Sequence, residues 1–212
     1  MKQYIAIVAS ATTFLFANNA KAQFINDPYD YQRIEASYVN QALVADIDDE
    51  TDTQHTKGAE ISYIKGLNIT TRLPLFLELG GQLVVTHSNE KNNGKTEKYT
   101  FANIAIPVNL AYKLAFENSS NFSILPYVGP NFKLNIIGRY KKDDNKISFF
   151  DKDDVEHKAH RIQIGLNLGI GVNIASHLYV GYRFQPDFTK YIEDGDDEYK
   201  TYANYFTFGI NF

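Results

Sequence analysis

Apolar side chains recur at every second position along most of the chain. Because a β-strand points successive side chains to opposite faces, this period of two predicts strands with one apolar and one polar face. In residues 162–174, seven apolar residues alternate with glycine and polar residues, and so many glycines would be costly in a helix. The same period appears in eight runs, at residues 33–44, 58–69, 75–87, 99–114, 122–137, 161–174, 178–185 and 202–212. The sequence therefore predicts an all-β fold of eight strands.

The connections between the predicted strands alternate in length. Four are long and charged, at residues 46–57, 88–98, 138–158 and 187–200, and three are short, at residues 70–74, 117–121 and 175–176. Outer-membrane barrels have short periplasmic turns and long extracellular loops, and an even number of strands returns the C-terminus to the side of the N-terminus. We expect an eight-stranded antiparallel up-and-down transmembrane β-barrel with both termini in the periplasm.

The composition of the polar faces indicates that they point into the barrel. They carry Gly, Asn, Gln and single charges of both signs, without the density of Lys and Glu that a water-exposed surface has. The charged residues are Arg33, Glu35, Glu60, Glu78, Lys113, Lys133, Arg161 and Arg183. Eight strands enclose a lumen only wide enough for side chains to fill, so these charges should pair there and passage of solutes is not expected. A soluble barrel, with its apolar faces inward, is the alternative.

Aromatic residues recur near the ends of the predicted strands. The residues are Tyr99, Tyr112, Phe122, Phe184 and Tyr202. This placement fits aromatic girdles at the two membrane interfaces, although aromatic residues also favour strands in general.

The first 22 residues differ from the rest of the chain. Lys2 precedes an apolar stretch of about a dozen residues, too short for a transmembrane helix, and Ala20-Lys21-Ala22 follows as a small-x-small cleavage site. We expect residues 1–22 to be a cleaved signal peptide and residues 23–212 to form the outer-membrane barrel domain.

The composition excludes some kinds of chemistry. The chain has no cysteine, so neither a disulfide framework nor a thiolate metal site can be drawn. Its formal net charge of -4 gives no support for nucleic-acid binding.

Two stretches resemble a known family. Residues 205–212 form an alternating aromatic strand that ends on Phe212, and they resemble the C-terminal signal that the barrel insertion machinery recognises. Residues 104–113, with 126–130 after them, resemble the porin-family outer-membrane β-barrel domain, which includes small OmpA/OmpX-like and PorT-like barrels. The resemblance spans residues 23–212 and implies fold and bacterial outer-membrane location more firmly than activity.

No group of residues has the spacing of a catalytic or metal site. On a strand, His157 and His160 would lie on opposite faces, and His177 is read as an ordinary turn residue. A lipid hydrolase would need Ser, His and a carboxylate, and its candidates are Ser37, Ser62, Glu78 and His87. Calcium would need oxygen ligands, and its candidates are two acidic runs at residues 46–52 and 194–198. We predict no catalytic, cofactor-binding or metal-binding residues and no cofactor.

The sequence favours a non-enzymatic outer-membrane barrel that serves envelope structure or surface interaction through its extracellular loops. The alternatives are a narrow porin-like channel, a PorT-like accessory of secretion and a membrane-embedded lipid-modifying enzyme. The expected partners are outer-membrane lipid, the insertion machinery through the Phe212 strand, and an unknown extracellular partner of the loops. We expect a monomer.

Overall fold

The computed structural model describes residues 30–47, 50–70, 73–92, 95–116, 119–142, 145–150, 158–175, 177–194 and 197–212. All regular elements in these ranges are β-strands. No helix within them is long and apolar enough to cross a bilayer. The predicted signal peptide lies outside the described residues.

Eight long strands form the wall of a barrel. They are β1 (Asp30–Ile47), β2 (Glu50–Asn68), β3 (Leu75–Asn92), β4 (Lys95–Tyr112), β6 (Ser119–Lys142), β9 (Ile162–Ile174), β10 (Leu178–Pro186) and β12 (Asp197–Asn211). Four short strands add to the connections: β5 (Leu114–Phe116), β7 (Asn145–Ser148), β8 (Lys158–Ala159) and β11 (Ile192–Asp194). Each long strand pairs antiparallel with the next, and β1 also pairs with β12, so the sheet closes. The predicted fold class is confirmed.

The two faces of the wall point as predicted. On β9, Leu168 is 40% exposed on the outside while Asn167 is 0% exposed in the interior. On β3, the outward positions from Leu75 to Val85 are apolar apart from Gly81. About ten residues at a rise of roughly 3.3 Å and a tilt near 45° cover about 25 Å, the height of the apolar band of an outer-membrane barrel. The alternation therefore encodes a wall that is apolar outside and polar inside.

The strands continue further than predicted at the end of the barrel that carries the long connections. The ladder between β1 and β2 runs up to the pair Ile47↔Glu50, so most of residues 46–57 extends a hairpin. The ladder between β3 and β4 likewise continues to Asn92↔Lys95. Backbone pairing does not need an apolar face, so a ladder can extend beyond the membrane where the sequence no longer alternates. Two long ribbons, the outer parts of the β1–β2 and β3–β4 hairpins, therefore project from this end.

A β-bulge interrupts the ladder between β4 and β6. Ala102 pairs with Ile137 while Asn103 pairs with Asn135, which leaves Ile136 as the extra residue. Ala102, predicted on the outer face, is only 7% exposed at this irregularity. Beyond the bulge the alternation of β6 is inverted, so that Gly138 is buried and Arg139 is exposed.

Candidate functional site

An aromatic cluster surrounds Arg33 at the end of the barrel where β1 begins and β12 ends. The guanidinium carbon of Arg33 lies 3.8 Å from the ring centroid of Tyr179 and 5.5 Å from that of Tyr31. Phe76 and Leu125 are buried beside these rings. The arginine is thus held between aromatic faces, where a cation-π interaction is favourable because the site is desolvated.

Glycines on the wall make room for the tyrosine rings of this cluster. A Cβ atom on Gly169 would lie 2.1 Å from the Tyr127 ring, and one on Gly171 would lie 2.1 Å from the Tyr179 ring. A Cβ atom on Gly66 would likewise lie 2.3 Å from the Tyr31 ring. Each ring therefore packs flat against a strand at a position that no other residue could occupy without displacing it.

Buried carboxylates compensate the charge of Arg33. Its Nη2 lies 3.0 Å from Glu78 Oε1, and its Nε donates to Glu35. Tyr31 donates to Glu78 at 2.5 Å, and Ser62 donates to the second oxygen of Glu35 at 2.9 Å. The charged groups in this part of the lumen therefore have partners, as burial requires.

A second ion pair joins opposite sides of the barrel at mid-height. Arg183 Nη2 on β10 lies 2.5 Å from Glu60 Oε2 on β2, and Ser37 donates to the other oxygen of Glu60 at 3.2 Å. The guanidinium also lies 3.8 Å from the ring centroid of Tyr205. These groups fill the middle of the lumen.

A third ion pair lies nearer the long hairpins. Lys133 Nζ on β6 lies 2.7 Å from Asp187 Oδ2, and Thr201 also donates to that oxygen. Asp187 is 3% exposed and directly follows β10. Sequence reasoning assigned Asp187 to a surface loop, because one acidic residue after a strand does not differ from a loop residue.

An aromatic cap covers the lumen at the end with the long hairpins. We define the aromatic cap as Leu43, Phe101, Phe149, Ala159 and Tyr191, which are buried together. The chain folds inward to form it: Phe149 donates its amide to Gly138 at 2.9 Å, and Tyr191 donates its amide to Tyr199 at 2.6 Å. Burial raises the pKa of the Tyr191 hydroxyl. The third and fourth long connections therefore contribute to a lid over the barrel.

One of the predicted girdle aromatics packs against this cap. Tyr99 packs against the cap, with its ring centroid 4.8 Å from that of Tyr140. It shares the inward parity of Phe101, and because β4 extends beyond the membrane band this position faces the mouth of the barrel. The assignment of Tyr99 to a membrane interface was wrong.

Some buried polar atoms in the lumen have no hydrogen-bond partner among the described residues. Both side-chain polar atoms of Gln185 belong to this group, together with Gln82 Nε2, Asn131 Oδ1 and Asp187 Oδ1. Buried polar atoms of this kind are sites where internal water binds.

The predicted lumen charges are mostly where the sequence placed them. Six of the eight are buried in the barrel: Arg33, Glu35, Glu60, Glu78, Lys133 and Arg183. Lys113 is half-buried where β4 ends, and Arg161 is exposed with its guanidinium carbon 4.7 Å from the ring centroid of Phe150. Placing Arg161 in the lumen was wrong, because β9 begins one residue later and its alternation does not constrain this side chain.

The residues considered for chemistry do not come together. Ser37 and Ser62 donate to different buried glutamates, whereas His87 is exposed on the outer face and contacts Thr100 Oγ1 at 3.0 Å. Both His160 and His177 are exposed, and His157 lies outside the described residues. The side chains of the two acidic runs, residues 46–52 and 194–198, also lie outside what the structure describes. In the described part of the chain, no group of three or more His, Asp or Glu is arranged to hold a metal.

A groove opens on the outer surface beside the bulge. It has a volume of about 200 Å³ and is lined by Ile136, Ile137, Gly138, Arg139, Ser148, Phe150 and Arg161. Arg139 and Arg161 are both exposed. The groove thus combines two positively charged side chains with a concave surface.

A closed eight-stranded barrel with an apolar outer wall and a polar, filled interior defines an outer-membrane β-barrel protein. The family model described as "Outer membrane protein beta-barrel domain" matches residues 16–193, so the chain belongs to this family. The protein is therefore located in the bacterial outer membrane.

Solved structures are similar to the chain at low sequence identity. One is Ail, the attachment invasion locus protein of Yersinia pestis, in complex with the heparin analogue sucrose octasulfate: identity is 11%, coverage is 87% of this chain and 99% of that chain, and the TM-score is 0.50. Another is Neisserial surface protein A, with 12% identity, coverage of 85% and 95%, and a TM-score of 0.47. No curated protein matches the chain.

Proposed function

We propose that the protein is a non-enzymatic outer-membrane barrel whose long hairpins contact partners at the cell surface. The observation that carries this proposal is the division of the molecule into a filled barrel and projecting ribbons. Buried ion pairs and the aromatic cap occupy the interior, which leaves the ribbons as the part that can reach another molecule. Ail, which has the same fold, is an attachment protein in complex with a sulfated carbohydrate analogue, which supports a surface role for such a scaffold.

The orientation in this proposal places both termini and the short turns in the periplasm, after removal of residues 1–22. It is supported by the pairing of the start of β1 with the end of β12, opposite the long ribbons. The chain has no native cysteine, so single cysteines can be labelled uniquely. We expect Thr53→Cys on the β1–β2 ribbon to react with a membrane-impermeant maleimide on intact cells, and His177→Cys on the β9–β10 turn to react only after permeabilisation. The opposite pattern would overturn this orientation.

Surface contact is tested by cross-linking from the ribbons. A photo-reactive residue at Thr53 or Asn89, both exposed on the ribbons, should give discrete adducts on intact cells. The same residue at His177 is the matched control. Adducts that form equally from all three positions would reflect random collision and would contradict a specific surface contact.

A narrow channel is the second candidate, because the lumen contains buried polar atoms of Gln185, Gln82 and Asn131 that have no hydrogen-bond partner among the described residues. The three ion pairs and the aromatic cap argue against a continuous path. We expect no steady conductance in planar bilayers. Steady openings that change when Arg183 is replaced by Met would support the channel instead.

Two further alternatives are tested together in a deletion strain. An unchanged lipid A and phospholipid profile is expected for a non-enzymatic barrel, whereas a changed profile would favour lipid modification. Loss of secreted cargo would favour a PorT-like accessory role. Insertion through β12, which Phe212 directly follows, is expected to fail when that residue is deleted.

A further inference from the structure

A row of polar side chains crosses part of the outer wall along the hydrogen-bond register. Cross-strand pairing places Lys57 opposite His87, His87 opposite Thr100, Thr100 opposite Arg139, and Arg139 opposite Ser148. We call these five residues the polar row. Lys57, His87 and Arg139 are exposed, and Thr100 and Ser148 are half-buried. Five neighbouring strands, β2, β3, β4, β6 and β7, thus present polar or basic groups at paired register positions.

The polar row lies directly above the apolar band. Val85 is 39% exposed two residues before His87, and Ile136 is 43% exposed three residues before Arg139. On β9, Ile162 is 69% exposed and Arg161 directly precedes it. Side chains at the border of the apolar band lie where lipid headgroups begin, and an arginine there keeps its guanidinium in the polar layer.

The groove beside the bulge lies at this border. Arg139 and Arg161 line it together, and Ile136 of the apolar band forms part of the same wall. The bulge creates this arrangement, because it inverts the alternation of β6 and brings Arg139 to the outer surface. The Arg161 guanidinium is oriented by the Phe150 ring at 4.7 Å, and within the described residues neither arginine has an ion pair with a carboxylate.

We propose that this groove binds the phosphate group of an anionic lipid in the outer leaflet, through Arg139 and Arg161. The hydroxyl of Ser148, which lines the same groove, is the third donor available to the phosphate. The assignment to the outer leaflet rests on the orientation given under Proposed function.

The chemistry of the groove favours a lipid over other anions. Guanidinium groups match phosphate oxygens in bidentate geometry, which explains two arginines at one groove. Ile136, which is 43% exposed on the apolar outer wall, adjoins the groove and offers apolar surface to an acyl chain. A free phosphate ion or a sulfated polysaccharide would use the arginines but would gain nothing from that apolar wall.

Native mass spectrometry of the detergent-purified, full-length mature barrel tests the proposal. The probe is bis-phosphorylated lipid A, titrated against the native chain, the Arg139→Gln/Arg161→Gln variant and the Lys65→Gln/Lys113→Gln variant. The last variant is a matched control, because it removes two positive charges at the opposite end of the barrel. Heat-modifiable migration on unboiled gels confirms that each variant is folded.

We expect the double arginine variant to bind lipid A about tenfold more weakly or worse, and the control variant to bind within about twofold of the native chain. Dephosphorylated lipid A should bind to the native chain as weakly as lipid A binds to the arginine variant. Inorganic phosphate or a heparin-derived oligosaccharide should displace lipid A only at a large excess.

Three results would overturn the proposal. The first is unchanged affinity in the arginine variant, which would mean that carboxylates of the chain already neutralise these side chains. The second is equal binding of phosphorylated and dephosphorylated lipid A. The third is tighter binding of the oligosaccharide than of lipid A at the same arginines. Because these measurements use purified protein, they do not depend on the orientation in cells, which the maleimide labelling tests separately.

Discussion

Replacing Arg33 by Met tests whether the buried charges stabilise the end of the barrel where β1 begins. Arg33 is 1% exposed and compensates two carboxylates, those of Glu35 and Glu78. Methionine has a similar reach without charge, so the substitution leaves both carboxylates buried without their cation. Breaking a buried ion pair by removing one partner costs about 3–5 kcal/mol. We expect a loss of free energy of unfolding in this range.

Urea unfolding in lipid vesicles measures this loss. The chain has no tryptophan and 15 tyrosines, so tyrosine fluorescence and gel mobility report the folded fraction. Arg161→Met is the matched control: it removes an exposed arginine and should change stability by less than about 1 kcal/mol. The triple variant Arg33→Met/Glu35→Gln/Glu78→Gln removes all three charges and should recover most of the stability.

Two outcomes would refute this reasoning. If Arg33→Met is no less stable than Arg161→Met, the buried ion pairs contribute little to the barrel. If the triple variant is as unstable as Arg33→Met alone, the loss comes from packing around the tyrosines and not from uncompensated charge.

Three other predictions concern packing, the cap and the wall. Gly169→Ala should lower the urea midpoint because its Cβ would meet a tyrosine ring at 2.1 Å, whereas Gly81→Ala, with no atom within 4 Å, should not; equal midpoints would contradict the ring-on-glycine packing. The raised pKa of Tyr191 means that its contribution to stability is present below about pH 10 and is lost as the pH rises through the folded-state value. Tyr191→Phe should therefore make protease resistance of the cap less sensitive to pH above about 10, and an unchanged pH dependence would count against burial of this hydroxyl. A spin label at Leu166 should be accessible to oxygen in the bilayer and one at Asn167 should not. The reverse result would mean that the polar face of β9 points to lipid.

The wall was predictable because one physical rule acts on every residue in it. Leu168 and Asn167 meet lipid and lumen respectively, so the alternation of the sequence records the environment of each side chain. The pairing of Arg33 with buried carboxylates followed from the same rule, since a narrow lumen cannot hold unpaired charges. Asp187 was missed because it lies directly after the end of β10, and the alternation of faces applies only within a strand.

The aromatic cap and the groove could not be predicted from the alternation of apolar and polar residues. Phe149 and Tyr191 lie in connections whose composition is mostly charged, and only the folded path brings them together over the lumen. Arg139 and Arg161 become neighbours because β6 pairs with β9 and because a bulge inverts one face of β6. Such contacts depend on register, which neither the composition nor the period of the sequence determines.

The pairing of the first and last strands constrains how the molecule can be made. Ser37 and Thr207 form a hydrogen bond across the seam although they are 170 residues apart, and Phe212 exchanges two backbone hydrogen bonds with Gln32. Contacts between residues so distant in sequence form slowly. Until β12 pairs with β1, the sheet has an open edge that is exposed to aggregation. Closure of the barrel therefore waits for the strand that is last in sequence among those the structure describes.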